Sequence, residues 1–237
     1  MARKAIWKSI RDTLSVEIAD GEYQPGSKLP TEAVLAERFS VNRHTVRRAL
    51  ADMAASGLVR SRRGAGVFVE MKPTDFPLGR RVRFSENVEA AGRVPDRAVL
   101  KMETRPADKD ELEALGLPAG ANVHVYKGVS FADRAPIAIA NSVFPADRFP
   151  GLLDLLADTS SITEALARLG VKDYTRASTR VSAEAATGST AAHLKVSESA
   201  PLLRSVSVNV DEDGMPIEFG QTVFVGDRVT LTMDELR

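Results

Sequence analysis

The chain has no cysteine, and only three histidines, three tyrosines and one tryptophan in 237 residues. Without thiols there is no disulfide staple and no thiolate metal site. His44, His124 and His193 lie far apart in sequence, so neither a histidine-based metal cluster nor a cofactor is expected. No apolar run approaches the roughly 18 residues needed to span a bilayer. The opening MARKAIWKSIRD is charged and amphipathic and lacks the apolar core of a signal segment. These absences predict a cytoplasmic protein with no membrane partner. Net charge is missing too: 32 Lys and Arg offset 32 Asp and Glu. What is present, 43% hydrophobic and 27% charged residues, is ordinary for a soluble globular chain of one large domain or two modest ones.

The zero net charge conceals an asymmetry. Residues 1–72 carry 13 Lys+Arg against 8 Asp+Glu, and the remainder carries 19 against 24. Such a split arises by chance, or from a polyanion-binding module fused to something acidic. The patterning of the first segment bears on the choice. Ile6, Ile10, Leu14 and Ile18 recur at helical spacing, and Gly21 ends the pattern. Thr31 is placed to cap a second helix with Leu35 and Phe39 inward. Asn42 is placed to cap a third, with Val46, Leu50 and Met53 as its buried stripe and Gly57 at its left-handed end. LVRSRRGAGVFV then reads as two strands around a glycine-containing tip. The expected arrangement is a helix-turn-helix followed by a hairpin wing.

The third helix carries the chemistry. VNRHTVRR packs three arginines, a histidine, an asparagine and a threonine into eight residues, and no acidic residue interrupts positions 42–48. With the stripe facing inward, Arg43, His44 and Arg47 project from the helix's N-terminal outer part, the part of a recognition helix that meets base edges. Arginine bonds guanine O6 and N7 in pairs, and the Thr45 methyl can touch thymine. The alternative is a solvated helix face, but such a face usually mixes charge signs. In the wing, Arg60, Arg62 and Arg63 precede Gly64 and Gly66, which suits a close approach to a phosphate or a minor groove.

MKPTDFPLG has two prolines and no periodicity and reads as a linker. The expected division is therefore a DNA-binding domain over 1–70, a linker over 71–79 and a second domain over 80–237. The second domain holds an internal repeat. PIAIANSVF at 136–144 matches PIEFGQTVF at 216–224, and each copy reads as a short helix, a strand, an acidic turn and a returning strand. Asp108 with Glu111 and Ser161 with Glu164 have capping-box spacing. Paired hairpins with helices on one side would give an antiparallel α+β layout. In DYTRASTRVSAEAA, strict alternation puts Tyr174, Arg176, Ser178, Arg180, Ser182 and Glu184 on one face. That face reads equally as solvent-exposed surface or as the wall of a cavity for a small anion. Ser85 in RFSEN is placed to open a helix whose amides favour an anion.

Taken together, LPTEAVLAERFSVNRHTVRRALADMAASGLVRSRRGAGVFV resembles the winged helix of GntR-type bacterial repressors across the whole first domain. The second domain is similar to the ligand-sensing (UTRA) domain of the HutC branch, which has a chorismate-lyase-like fold. Its turns and GDRV carry that likeness, and the DYTR strand and FVGDRVTL look most like the branch's phosphonate-utilisation (PhnF-like) regulators. The resemblance implies DNA contacts at Asn42, Arg43, His44, Thr45 and Arg47, and at Arg63 and Gly64 in the wing. Ala33 stands where related repressors often carry a phosphate-contacting arginine, leaving Thr31 to donate from the start of helix two. In the sensor, Gly128 and Ser130 stand where many branch members have arginines, and Ala140 stands where many have glutamate. The polar candidates that remain are Ser85, Tyr174, Arg176, Arg180 and Glu218.

What the resemblance implies is a homodimeric repressor of double-stranded operator DNA that answers to a small, phosphonate- or phosphate-like effector. Two alternatives remain: a lyase-like enzyme with a tethered DNA-binding module, and a DNA binder whose pocket has filled with side chains. No nucleophile–base pairing, metal ligand set or phosphate loop stands out in favour of the enzyme, and no catalytic residue is named.

Overall fold

A computed structural model describes residues 5–62, 64–70, 73–81, 83–159 and 161–233. The chain divides into two compact units, Met1–Lys72 and Pro73–Arg237. The first contains α1 (Ile6–Ala19), α2 (Glu32–Arg38), α3 (Arg43–Ala55), β1 (Val59–Arg62) and β2 (Gly66–Val69). Its core joins Ile10 and Leu14 of α1, Leu35 of α2, and Val46, Ala49, Leu50 and Met53 of α3. Each fully buried side chain of this size contributes roughly 1.5–3 kcal/mol. Ile6, expected in the α1 stripe, is exposed at the helix's first position. Thr31 Oγ1 accepts from the Val34 amide at 3.4 Å, and Asn42 Oδ1 accepts from the Thr45 amide at 2.9 Å. Both caps satisfy amides that a helix start leaves unpaired. β1 and β2 pair antiparallel, and residues 27–29 run beside β2 with Leu29 N donating to Val67 O. Gly66 adopts φ 114°, a backbone conformation that residues with a Cβ rarely take.

The second unit contains β3 (Thr74–Pro77), α4 (Phe84–Ala90), β4 (Pro95–Pro106), α5 (Lys109–Leu115), β5 (Asn122–Ala132) and β6 (Ala135–Pro145). It continues with α6 (Leu152–Thr159), α7 (Ile162–Arg168), β7 (Thr175–Ala185), α8 (Gly188–Leu194), β8 (Pro201–Val210), β9 (Pro216–Val225) and β10 (Val229–Thr232). Six strands form an antiparallel sheet in the order β4-β5-β6-β9-β8-β7. The order reads the same from either edge because the repeat is longer than the sequence comparison suggested. Each copy is strand, helix, strand, strand, and β6 joins β9 at the centre. The repeat helices share one face: α5 packs through Leu115 on Val123, Val125 and Phe219, and α8 through Leu194 on Val129 and Leu202. The helices between the copies, α6 and α7, pack with Tyr126, Phe144 and Tyr174 on the other face. The sheet is therefore covered on both sides, where helices on one side were expected.

Three local expectations are corrected. Thr74–Pro77, inside the expected linker, is strand β3, and it pairs in parallel with β10. Four residues are too few to show a period, and the partner lies about 150 residues away. Ser161 accepts from the Glu164 amide at 3.3 Å, but the Glu164 carboxylate turns to Arg168, so only half of that box forms. Asp108 and Glu111 form the complete box, closed by Gly116 in the left-handed conformation. Ser85 does not open a helix: α4 begins at Phe84, with Arg83 as an N-cap whose side chain makes no capping hydrogen bond.

Glu111 also receives both Nη groups of Arg105, at 2.7 Å each, and is buried. The Arg105 hydrogen bonds hold its carboxyl below the usual carboxylate range against the opposing effect of burial. A depressed native pKa gives stability that is present above the unfolded-state pKa and lost as pH falls through the native one. Glu111→Gln is expected to cost about 1.5–3 kcal/mol at pH 7, with the gap to wild type shrinking below about pH 4. Urea unfolding across that pH range checks this, and equal stabilities at pH 7 would remove the assignment.

Candidate functional site

Two sites emerge, one in each unit. In the first unit the buried stripe of α3 turns the opposite side of its first turn outward. Asn42, Arg43, His44 and Arg47 are exposed. The Thr45 hydroxyl donates to Asn42 Oδ1 at 3.0 Å, so the cap and this side chain hold each other. Arg47 does have an acidic partner, which the local sequence could not reveal. Glu32, on α2, accepts Arg47 Nη2 at 2.6 Å and Nε at 3.0 Å. The pair lies on the surface, with the Arg47 side chain 60% exposed, so the guanidinium is steered rather than buried. Arg43 makes no ion pair among the described residues. Arg48 is turned away and stacks on Trp7 at 4.8 Å. In the wing, Gly64 has φ 76° and Arg62 stacks on Phe68 at 4.9 Å; Arg63 lies outside the described residues. Thr31 is exposed, and its oxygen is engaged as the α2 cap while its hydroxyl hydrogen remains free to donate.

The second site is a cavity of about 340 Å³ on the α6/α7 face of the sheet. Ser85, Tyr174, Arg176 and Glu218 line it together. Tyr174 is buried, with its hydroxyl 3.0 Å from Thr163 Oγ1; burial is the main reason its pKa is pushed up. Arg176 Nε donates to Asn209 Oδ1 at 3.3 Å, and Asn209 Nδ2 donates to Glu218 Oε2 at 2.6 Å. Burial is also the main influence on Arg176, lowering its pKa, with Glu218 opposing. The cavity is not filled by side chains, because Ser130 and Ala140 face it and Gly128 stands between them on the same face.

Arg180 is not in this cavity. β7 carries a β-bulge between Arg176 and Ser178: Arg176 lies opposite Asn209, but Ser178 lies opposite Val208. One extra residue, Ala177, reverses the alternation. Ser178, Arg180 and Ser182 consequently lie on the other face, in a shallow groove with Arg204 and Val206. The strict alternation expected from sequence therefore fails after Arg176.

Sequence reasoning missed several residues of the cavity, Arg83, Arg97 and Asn209 among them. Arg83 stacks on the Tyr174 ring at 3.5 Å and donates to Tyr174 O and Asp173 Oδ1. Arg97 reaches in from β4, where it lies opposite Ser130. Asn209 belongs to a signal that was readable. In SVSVNV, Ser205, Ser207 and Asn209 alternate with valines, and all three polar residues are buried. Buried polar side chains on one face of a strand mark a polar cavity.

Comparison with known proteins identifies the family of each unit. Residues 7–69 match the family of bacterial regulatory proteins of the gntR type, and residues 90–230 match the UTRA domain. The chain belongs to the GntR family, in the group that carries a UTRA domain, and is a DNA-binding transcriptional regulator. It is 37% identical to an uncharacterised HTH-type transcriptional regulator of Rhizobium meliloti, covering 97% of this chain and 95% of that one. It is 33% identical to an Escherichia coli protein named "Probable transcriptional regulator PhnF", over 90% of this chain and 88% of that one. The crystal structure of PhnF from Mycobacterium smegmatis superposes with a TM-score of 0.68 at 28% identity, covering 96% and 99% of the two chains. These relatives are named as regulators and not as enzymes. Among the described residues no helix is long and apolar enough to cross a membrane, and no group of three or more acidic or histidine side chains could hold a metal ion.

The Arg47 hydrogen bonds hold the Glu32 carboxyl below the usual range, more than burial raises it. Arg47→Gln is expected to move the Glu32 titration midpoint back up. Carbon-detected NMR titration of the two proteins measures it, and identical midpoints would show that the pair does not persist in solution.

Proposed function

We propose that the chain represses transcription as a homodimer on a palindromic operator, and that a small phosphonate- or phosphate-like anion modulates that binding. The observation that carries the reading is the outward first turn of α3. Arg43, His44 and Arg47 are exposed there while Val46, Leu50 and Met53 anchor the reverse side. One such helix reads only a few base pairs, so a two-fold pair about one helical turn apart is needed for a full site. Asn42 and Thr45 position the turn, Thr31 donates to a phosphate, and Gly64 lets the wing approach the duplex with Arg63.

The effector occupies the cavity lined by Ser85, Tyr174, Arg176 and Glu218. The anionic class follows from its arginines and from the likeness to PhnF regulators. The ligand acts through unequal affinity for DNA-competent and DNA-incompetent forms, a coupling of about 1–3 kcal/mol in proteins of this kind. Footprinting on the DNA upstream of the chain's own gene, with and without phosphate and alkylphosphonates, tests the whole reading. A two-fold footprint that changes with one of these anions is expected. No footprint, or one indifferent to all of them, counts against it.

Two substitutions separate the halves. Arg43→Ala or Arg47→Ala is expected to weaken operator binding by about 1–3 kcal/mol, roughly 5- to 150-fold, and to relax base preference with folding intact. Fluorescence anisotropy on operator and scrambled duplexes at matched salt measures this; wild-type affinity and preference in both variants would contradict it. Arg176→Ala is expected to leave operator affinity unchanged and to blunt the response to the anion. An undiminished response removes Arg176 from the site.

A further inference from the structure

The cavity holds opposite charges at separate places, and this narrows the ligand further than an anion. Of its charged groups, Arg83 is committed to Asp173 and Glu164 to Arg168, while Glu86 is exposed. Arg97, Arg176 and Glu218 remain. The Arg97 side chain makes no hydrogen bond among the described residues. It leaves β4 opposite Ser130, yet its guanidinium lies 5.2 Å from the Phe84 ring and 5.8 Å from the Tyr126 ring. Tyr126 is four residues from Ser130 along β5, so the side chain runs back along the sheet. Gly128 lies on that path: a Cβ there would meet Ala98 O at 2.9 Å and Arg97 Cγ at 3.5 Å.

Glu218 is the counterpart. It is 7% exposed, forms no ion pair among the described residues, and lines the cavity. Asn209 satisfies Oε2, and Oε1 has no partner among the described residues. Asn209 also stands between Glu218 and Arg176, so the arginine offsets the carboxylate's charge without supplying it a donor. Oε1 is open to the cavity, where a charged donor on a ligand can satisfy it. The two ends are joined by a path across the sheet. Tyr126, beneath Arg97, lies opposite Ser142; Ser142 lies opposite Gly220, two residues from Glu218. Ser142 is itself buried, faces the cavity and makes no hydrogen bond among the described residues.

We infer that the effector is a small zwitterion, an acid of the phosphonate or phosphate type carrying a primary ammonium group. Its acid end sits against Arg97, with Ser142 below, and its ammonium end sits on Glu218 Oε1. This rests on the reading of the cavity as the effector site. A dianion without the amine meets the negative charge of Glu218 with nothing to offset it beyond Arg176. Gly128 and Ser130 are small because Arg97, from the neighbouring strand, provides the guanidinium in their place.

Isothermal titration of the full chain with 2-aminoethylphosphonate, ethylphosphonate and inorganic phosphate tests this. The aminoalkyl compound is expected to bind at least ten-fold more tightly than its amine-free analogue of the same chain length. Glu218→Gln is expected to abolish that preference, weakening the aminoalkyl compound and tightening ethylphosphonate, and Arg97→Gln to weaken both compounds ten-fold or more. Circular dichroism establishes that each variant is folded, and the wild-type comparison needs no variant at all. Equal binding of the two phosphonates overturns the zwitterion assignment and leaves the anion site standing. An Arg97→Gln protein that binds as wild type removes Arg97 from the acid end. Failure of all three compounds to bind overturns this inference and the effector reading together.

Discussion

A thirteen-residue helix can bury one stripe, and in the first unit that stripe decides everything else. Val46, Ala49, Leu50 and Met53 meet Ile10, Leu14 and Leu35, and this packing leaves α3 one rotational setting. The first turn then has to point outward, capped by Asn42 and braced by the Thr45 hydroxyl. The polar residues on it need no further device to reach a duplex. The Glu32 carboxylate does not hide Arg47. It holds an otherwise floppy side chain at the surface, and a phosphate or a base edge can compete for the same guanidinium.

In the second unit the corresponding constraint is the pairing of β6 with β9, which fuses two strand–helix–strand–strand copies into one sheet. The two repeat helices take one face, and the inserted helices α6 and α7 stand over the other. That second face is floored by small residues, Ser130, Ala140, Ser142 and Gly220, and the space above them is the cavity. The bulge at Ala177 then sorts the arginines of β7. It keeps Arg176 over the cavity and sends Arg180 to the opposite face. A single extra residue thus determines which cation of β7 faces the cavity.

What was legible in the sequence was local chemistry. Caps at Thr31, Asn42 and Asp108 show as side-chain types three residues from the amides they serve, and the buried stripe of α3 shows as a period. The internal repeat was legible because its second strands are nearly alike. What was not legible depends on partners distant in the chain. Glu32 meets Arg47 only after α2 and α3 pack. β3 is a strand only because β10 lies beside it. Arg97 enters the cavity because β4 pairs with β5 in one register. The bulge at Ala177 has no signature in an alternating run of small polar residues, so Arg180 was misassigned with Arg176. Ser85 and Glu218 line one cavity with Tyr174, although Ser85 sits inside the first turn of its helix and does not start it.

We propose that one chain couples an anion-binding cavity to a DNA-binding face. Coupling of this kind is reciprocal, so DNA must change the affinity for the ligand by the same factor that the ligand changes the affinity for DNA. The direct measurement is the dissociation constant of the bound phosphonate, taken with and without saturating operator duplex. A difference of about 5–150-fold is predicted, matching the shift in operator affinity at saturating ligand. An identical ligand affinity in the two states would show that cavity and duplex are independent and would contradict the account.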